Sequence, residues 1–220
     1  MRDEDFEVLI DEFGEAFHHE AVAQDAIDCW VGRVPNYLLQ QWSAEGWNGY
    51  AKGLFWLVNP GDYEEIAEAW LADTPLPKVD VFHVIARSAF GDLYLCGERT
   101  GSSVSVSPAL NMIFATPKGL KPKNEKQKDI SVKSLLLSSK KDFDFKDQND
   151  EPLFSRAAAK LGELAPDEVY GFEPALVAGG KAHIDSLRRM KLDPHLTILR
   201  QFASPQSASE SLDIDKVLDA

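Results

Sequence analysis

Between residues 79 and 116 the chain offers four strand-like runs in close succession, and this stretch restricts the fold more than any other. Residues 79–85 are rich in β-branched and aromatic side chains, Gly91-Asp92 marks a turn, and 93–96, 102–107 and 111–116 supply further runs. Together they predict an antiparallel sheet. Upstream, Gly46, Gly49 and Gly53 punctuate Trp47, Tyr50, Leu54, Phe55, Trp56 and Leu57, which predicts a short β-hairpin over 46–58. With helices on either side, the expected class is α+β: a mainly antiparallel sheet flanked by helices, in two closely packed lobes.

The helical stretches show in the spacing of apolar residues. Phe6, Leu9, Ile10, Phe13 and Phe17 share one face, which predicts a helix over 5–18 that tolerates Gly14. Further helices are expected over 20–30 and 36–44. Asp62 is the expected N-cap of a helix whose buried stripe is Tyr63, Ile66 and Trp70, with Glu64 and Glu65 at the positive end of its dipole. The domain division expected is 1–116, a lysine-rich connection over 117–149, a helical C-terminal domain over 150–203 and a polar tail over 204–220. In the connection one short element is expected near 132–137. In the C-terminal domain Asp150 should cap a helix with Pro152 in its first turn. A glycine-bounded apolar segment (170–180) and short helices near 182–190 and 194–203 should follow.

Charge narrows the range of partners. The 220 residues carry a net charge of −13, a field that repels nucleic acid and anionic membranes and draws in basic proteins. Residues 118–146 run against that trend, with nine lysines facing Glu125, Asp129, Asp142 and Asp144. The acidic first residues do not resemble a signal peptide, and no run approaches the roughly 20 apolar residues of a membrane helix. The cytoplasm is the expected location, where Cys29 and Cys96 should be reduced and buried.

Sequence motifs for catalysis are missing. There is no Gly-x-Ser-x-Gly elbow, Walker loop or His-Glu-x-x-His; the Gly179-Gly180-Lys181 run lacks the earlier glycine of a P-loop, since Ala175 stands there. His18 and His19 would diverge on a helix and so share a metal ion poorly. His83 reads as a half-buried packing residue, and the tryptophans as core. Arg87 reads as a buried structural cation with a carboxylate partner. No catalytic residue, metal or cofactor is expected. The richest supply of exposed carboxylates is Asp11, Glu12 and Glu15 on the first helix, with Asp62, Glu65 and Glu68 on the later one. These six are the candidate partner-binding residues.

Residues 35–39 through Trp42, then Gly46, Gly49-Tyr50, 53–60, Tyr63 and Trp70-Leu71, with 84–94 after them, resemble the GAD-like domain family. Phe154, Leu161-Gly162, Tyr170-Gly171-Phe172, Pro174 and Gly179-Gly180, followed by His195-Leu196, resemble the domain usually fused to it. The resemblance implies an immunity protein of a type VI secretion system, which binds a cognate toxin, a basic DNase, in the cytoplasm. Its shared residues are glycines for turns and aromatics for core, so it assigns no contact residue. An adaptor without a toxin, an RNA-related factor or an enzyme are the alternatives; the charge and the missing motifs weigh against the last two.

Overall fold

The computed structural model describes residues 2–207. The chain opens with α1 (Glu4–Phe13), β1 (His18–Glu20), α2 (Gln24–Asp28) and α3 (Asn36–Glu45). The hairpin β2 (Trp47–Tyr50) and β3 (Phe55–Leu57) leads to α4 (Glu64–Leu71) and α5 (Leu76–Val79), and then to β4 (Phe82–Ser88), β5 (Leu93–Gly97), β6 (Gly101–Ser107) and β7 (Met112–Ala115). Next come α6 (Glu125–Leu136), α7 (Lys140–Phe143), α8 (Phe154–Leu161), β8 (Glu168–Phe172), β9 (Leu187–Lys191), α9 (Leu192–Phe202) and β10 (Gln206–Ser207). Strands β1 to β7 pair in chain order, all antiparallel, and β10 joins the edge parallel to β7; β8 and β9 form a separate hairpin. The α+β reading with a mainly antiparallel sheet is correct.

Strand alternation assigns the helices to two layers. Tyr50 and Phe55 pair across the hairpin and meet Phe6 and Phe13 of α1, at ring distances of 6.4 and 5.5 Å. Trp56, the next residue, points to the opposite side, where its register partner Arg87 lies over the ring at 4.6 Å. That second side is covered by Tyr63, the α4 that follows it, and the C-terminal lobe. Arg87 donates to Pro166 O (2.7 Å) and Tyr170 N donates to Ala89 O (2.9 Å), so the lobes share backbone hydrogen bonds as well as apolar contacts. The five tryptophans are all buried, as a core reading requires.

Several local expectations change. The first helix stops at Phe13 because Gly14 leaves it at φ +81°, ψ 172°, a conformation that needs glycine. Phe17 therefore lies beyond the helix and packs on Trp56 at 5.3 Å. The expected helix over 20–30 is β1 followed by the five-residue α2, and His18 and His19 sit in that strand. Asn59, rather than Asp62, caps the turn before α4, accepting from Gly61 N. Asp144 takes the capping role expected of Asp150: its Oδ1 accepts from Leu153 N and Phe154 N. Asp150 instead takes φ +66°. Residues 187–191 form a strand where a helix was expected. The short element near 132–137 is a twelve-residue helix with an Asn124–Gln127 capping box, and Val132 and Leu136 are buried in the core. Cys96 is buried, but Cys29 is exposed. Of the expected polar tail, 206–207 pair with β7, and 208–220 lie outside the described residues.

Candidate functional site

The six carboxylates singled out by sequence fall into two groups on opposite layers of the sheet. On α1, Asp11 is exposed and Glu12 is half-buried; Glu15, expected on the same helix, lies beyond its end at Phe13 and is exposed. Two of the three are already engaged. Glu12 Oε1 accepts from Lys140 N at 2.8 Å, closing the N-terminus of α7, and Glu15 pairs with Arg2 at 2.9 Å, which holds its carboxyl below the usual range. Arg2 also grips Glu45 at 2.8 Å. On the other layer Asp62, Glu65 and Glu68 are exposed. Asp62 receives a hydrogen bond from Asn59 (3.3 Å), Glu65 borders a cavity of about 300 Å³ between α4 and α9, and Glu68 borders one of about 330 Å³ beside Arg33 and Val81. The sheet separates the groups, so one flat contact cannot cover both.

A cavity of about 510 Å³ is lined by residues that the sequence does not single out. It lies on the α1 side, between the open face of β5–β7 and the segment that runs out of α7. Tyr94, Ser105 and Phe114 stand in one row across β5, β6 and β7. Asp92 and Ser107 flank that row, and Asp142, Asp144 and Phe145 form the facing wall. The wall is anchored by Phe143, whose ring meets Phe55 at 4.5 Å, Phe13 at 5.7 Å and Tyr94 at 5.2 Å. Phe143 is buried in the core, while Asp142, Asp144 and Phe145 border the cleft. Glu12 accepts at the N-terminus of α7 and Asp142 stands in the first turn of the same short helix, so α7 links the acidic face of α1 to this cleft.

The electrostatics of the cleft follow from burial. Asp92 is pushed above the ordinary carboxylate range by desolvation, partly offset by hydrogen bonds from Ser107 and Ser88; the Ser88 Oγ–Asp92 Oδ2 distance is 2.8 Å. Asp144 is raised for the same reason, against its backbone hydrogen bonds. Tyr94 is pushed far up by burial and by Asp92 and Asp142, and its hydroxyl is hydrogen-bonded to no described residue. The Ser88 hydroxyl that contacts Asp92 is fully buried and is not presented to the cleft. Among the described residues no cluster of histidine, cysteine and carboxylate side chains has the arrangement to hold a metal ion.

The remaining polar candidates have structural roles. Arg87 is fully buried, yet no carboxylate touches it, contrary to the expected pairing. It donates to Ser88 O and Pro166 O, is polarised by Tyr63, and rests on the Trp56 ring. His83 is buried rather than half-buried; its Nε2 lies 3.0 Å from Glu98 Oε1 and its ring packs on Trp30.

Comparison with known proteins matches this architecture. Residues 4–110 match the family model of the GAD-like domain, and residues 129–203 match that of the type VI secretion immunity protein Tdi1, C-terminal domain. Among solved structures, a crystal structure of Atu4351 from Agrobacterium tumefaciens superposes with a TM-score of 0.79 at 20% identity, covering 93% of each chain, which establishes a shared fold. No curated protein matches the chain.

Proposed function

With a GAD-like domain joined to the C-terminal domain of the type VI secretion immunity protein Tdi1, the chain has the make-up of a type VI secretion immunity protein, and we propose that it binds and neutralises a cognate DNase toxin in the cytoplasm. The match over 129–203 supports the immunity role in this reading. Charge supports the choice of partner. A nuclease must present a basic groove to its polyanionic substrate, and a chain of net charge −13 can approach that groove quickly and exclude DNA from it. The acidic face of α1, linked through α7 to the cleft, is the more extensive docking surface, with the α4 face as the alternative. The proposed role needs no catalysis: binding is the whole activity.

The test is co-purification with the nuclease encoded beside this protein's gene, followed by a DNA-cleavage assay. A stoichiometric complex that no longer cuts DNA is the expected result. Stable binding that leaves cleavage intact would favour an adaptor, and no binding would remove the toxin reading.

A further inference from the structure

The cleft beside α7 is acidic on its walls and aromatic on its floor, and we infer that it receives an arginine side chain from a basic segment of the partner protein. The partner's identity rests on the toxin-binding reading; the chemistry of the cleft stands by itself.

Three features select a guanidinium. The first is charge. Asp92, Asp142 and Asp144 border the cavity, and the lysine of its lining, Lys146, is held by Asp150 at 2.8 Å. Asp142 is fixed through one oxygen only: Oδ2 accepts from Ser139 N and Oγ, both at 2.9 Å, while Oδ1 receives no hydrogen bond from a described residue. The second is the floor. Phe114 and Leu110 are 40% and 46% exposed, apolar surface that a long aliphatic stem can cover while its head reaches the carboxylates. A guanidinium is planar and weakly hydrated and stacks on rings such as Tyr94, Phe114 and Phe145, which a compact ammonium does less well. The third is the Tyr94 hydroxyl, an acceptor with no donor among the described residues, beside two of the carboxylates. At about 510 Å³ the cavity is within the size range of built ligand pockets, roughly 300–1,000 Å³. Burial disfavours the charge of Asp92 and Asp144, so an incoming cation is what stabilises their ionised form, and the exposed Asp142 supplies a carboxylate free of that burial.

The test uses the full chain and N-acetyl-L-arginine amide, followed by amide NMR. Saturable shifts are expected at 92–94, 105–107 and 142–146 in the millimolar range that one anchored side chain supports, and none with the uncharged N-acetyl-L-citrulline amide. Asp142→Asn keeps a capping acceptor but removes a charge, and should weaken binding about tenfold. Leu110→Lys, at an exposed rim position where folding is not at stake, should weaken it at least as much by repulsion. No saturable shift, an equal response to the citrulline amide, or full binding by both variants would overturn the assignment. The nuclease complex separates the two readings. If the nuclease holds the parent and both variants equally, the arginine anchor is wrong and the immunity reading stands. If no nuclease binds the parent, the immunity reading falls and the arginine titration still decides the cleft.

Discussion

Replacing Trp56 with alanine tests how the two layers are held together. Trp56 is 3% exposed and Trp70 is 1% exposed, so burial alone ranks Trp70 as the costlier loss. A buried tryptophan truncated to alanine costs about 3–5 kcal/mol. Trp56 carries two further contributions. Its Nε1 donates to Gly53 O at 2.9 Å, worth about 1 kcal/mol. Its ring supports the Arg87 guanidinium at 4.6 Å, a cation–π contact worth about 2 kcal/mol when desolvated. Without that ring a fully buried cation with no carboxylate contact faces a void. Trp70 has no such role, and its Nε1 is bonded to no described residue. The expected loss is therefore about 5 kcal/mol or more for Trp56→Ala and about 3–4 kcal/mol for Trp70→Ala. Urea unfolding followed by circular dichroism gives both values, provided the slopes agree with the parent's. Trp56→Phe, which keeps an aromatic face, should recover much of the loss. If Trp70→Ala proves the more damaging, the Arg87–Trp56 stack contributes little and the argument fails.

Three further outcomes are expected. Gly46→Ala should cost about 3–5 kcal/mol, because Gly46 sits at φ +94° and a Cβ there would lie 2.3 Å from Glu20 O; Gly14→Ala, strained but with open space around it, should cost about 1–3 kcal/mol, and thermal melts compare them. His195 is held below its ordinary range by burial, so the unfolded chain takes up a proton near pH 6.5 while the folded chain does so only at lower pH. Its contribution to stability is complete above that range and is lost as pH falls towards the folded value, so urea midpoints from pH 7 to 5 should decline less in His195→Gln than in the parent. Asp11→Lys should slow association with a basic toxin and flatten its salt dependence more than Glu65→Lys with Glu68→Lys, since α7 links the α1 face to the cleft; stopped-flow rates across a salt series decide, and the reverse order would move the interface to α4.

The sheet was legible because each strand carries its own evidence: β-branched runs separated by short turn-bearing gaps. The hairpin β2–β3 and α3 were legible on the same terms. Reading failed where a neighbour decides the conformation. In 187–191 only Leu187 is buried, so the segment holds too little apolar pattern to announce a strand, and pairing with β8 determines it. Apolar spacing admits Gly14 within the helix because spacing alone does not reveal that the backbone turns there. Helical periodicity finds the six carboxylates as polar positions, though Glu12 is half-buried and Glu15 and Asp62 lie outside α1 and α4. It does not find the cleft, because Asp92 and Asp142 lie fifty positions apart and meet only when Phe143 enters the core. One signal was present: Phe143 and Phe145 interrupt an otherwise polar, lysine-rich stretch, and two aromatics in such a segment point to an anchor in the core, which Phe143 is.

The shared bonds between the lobes bear on how such a protein can diversify. Arg87 reaches across to Pro166 O, Tyr170 to Ala89 O, and Leu196 fills the space where Gly91 has no side chain. A recombinant that joins the first half of this chain to the second half of a relative would inherit a mismatched joint at all three places. Its cost would appear as poor folding before any change of target could be read. New specificities should therefore arise by point changes on the outer faces within an intact chain, and parent and descendant should keep the joint while their surfaces drift apart.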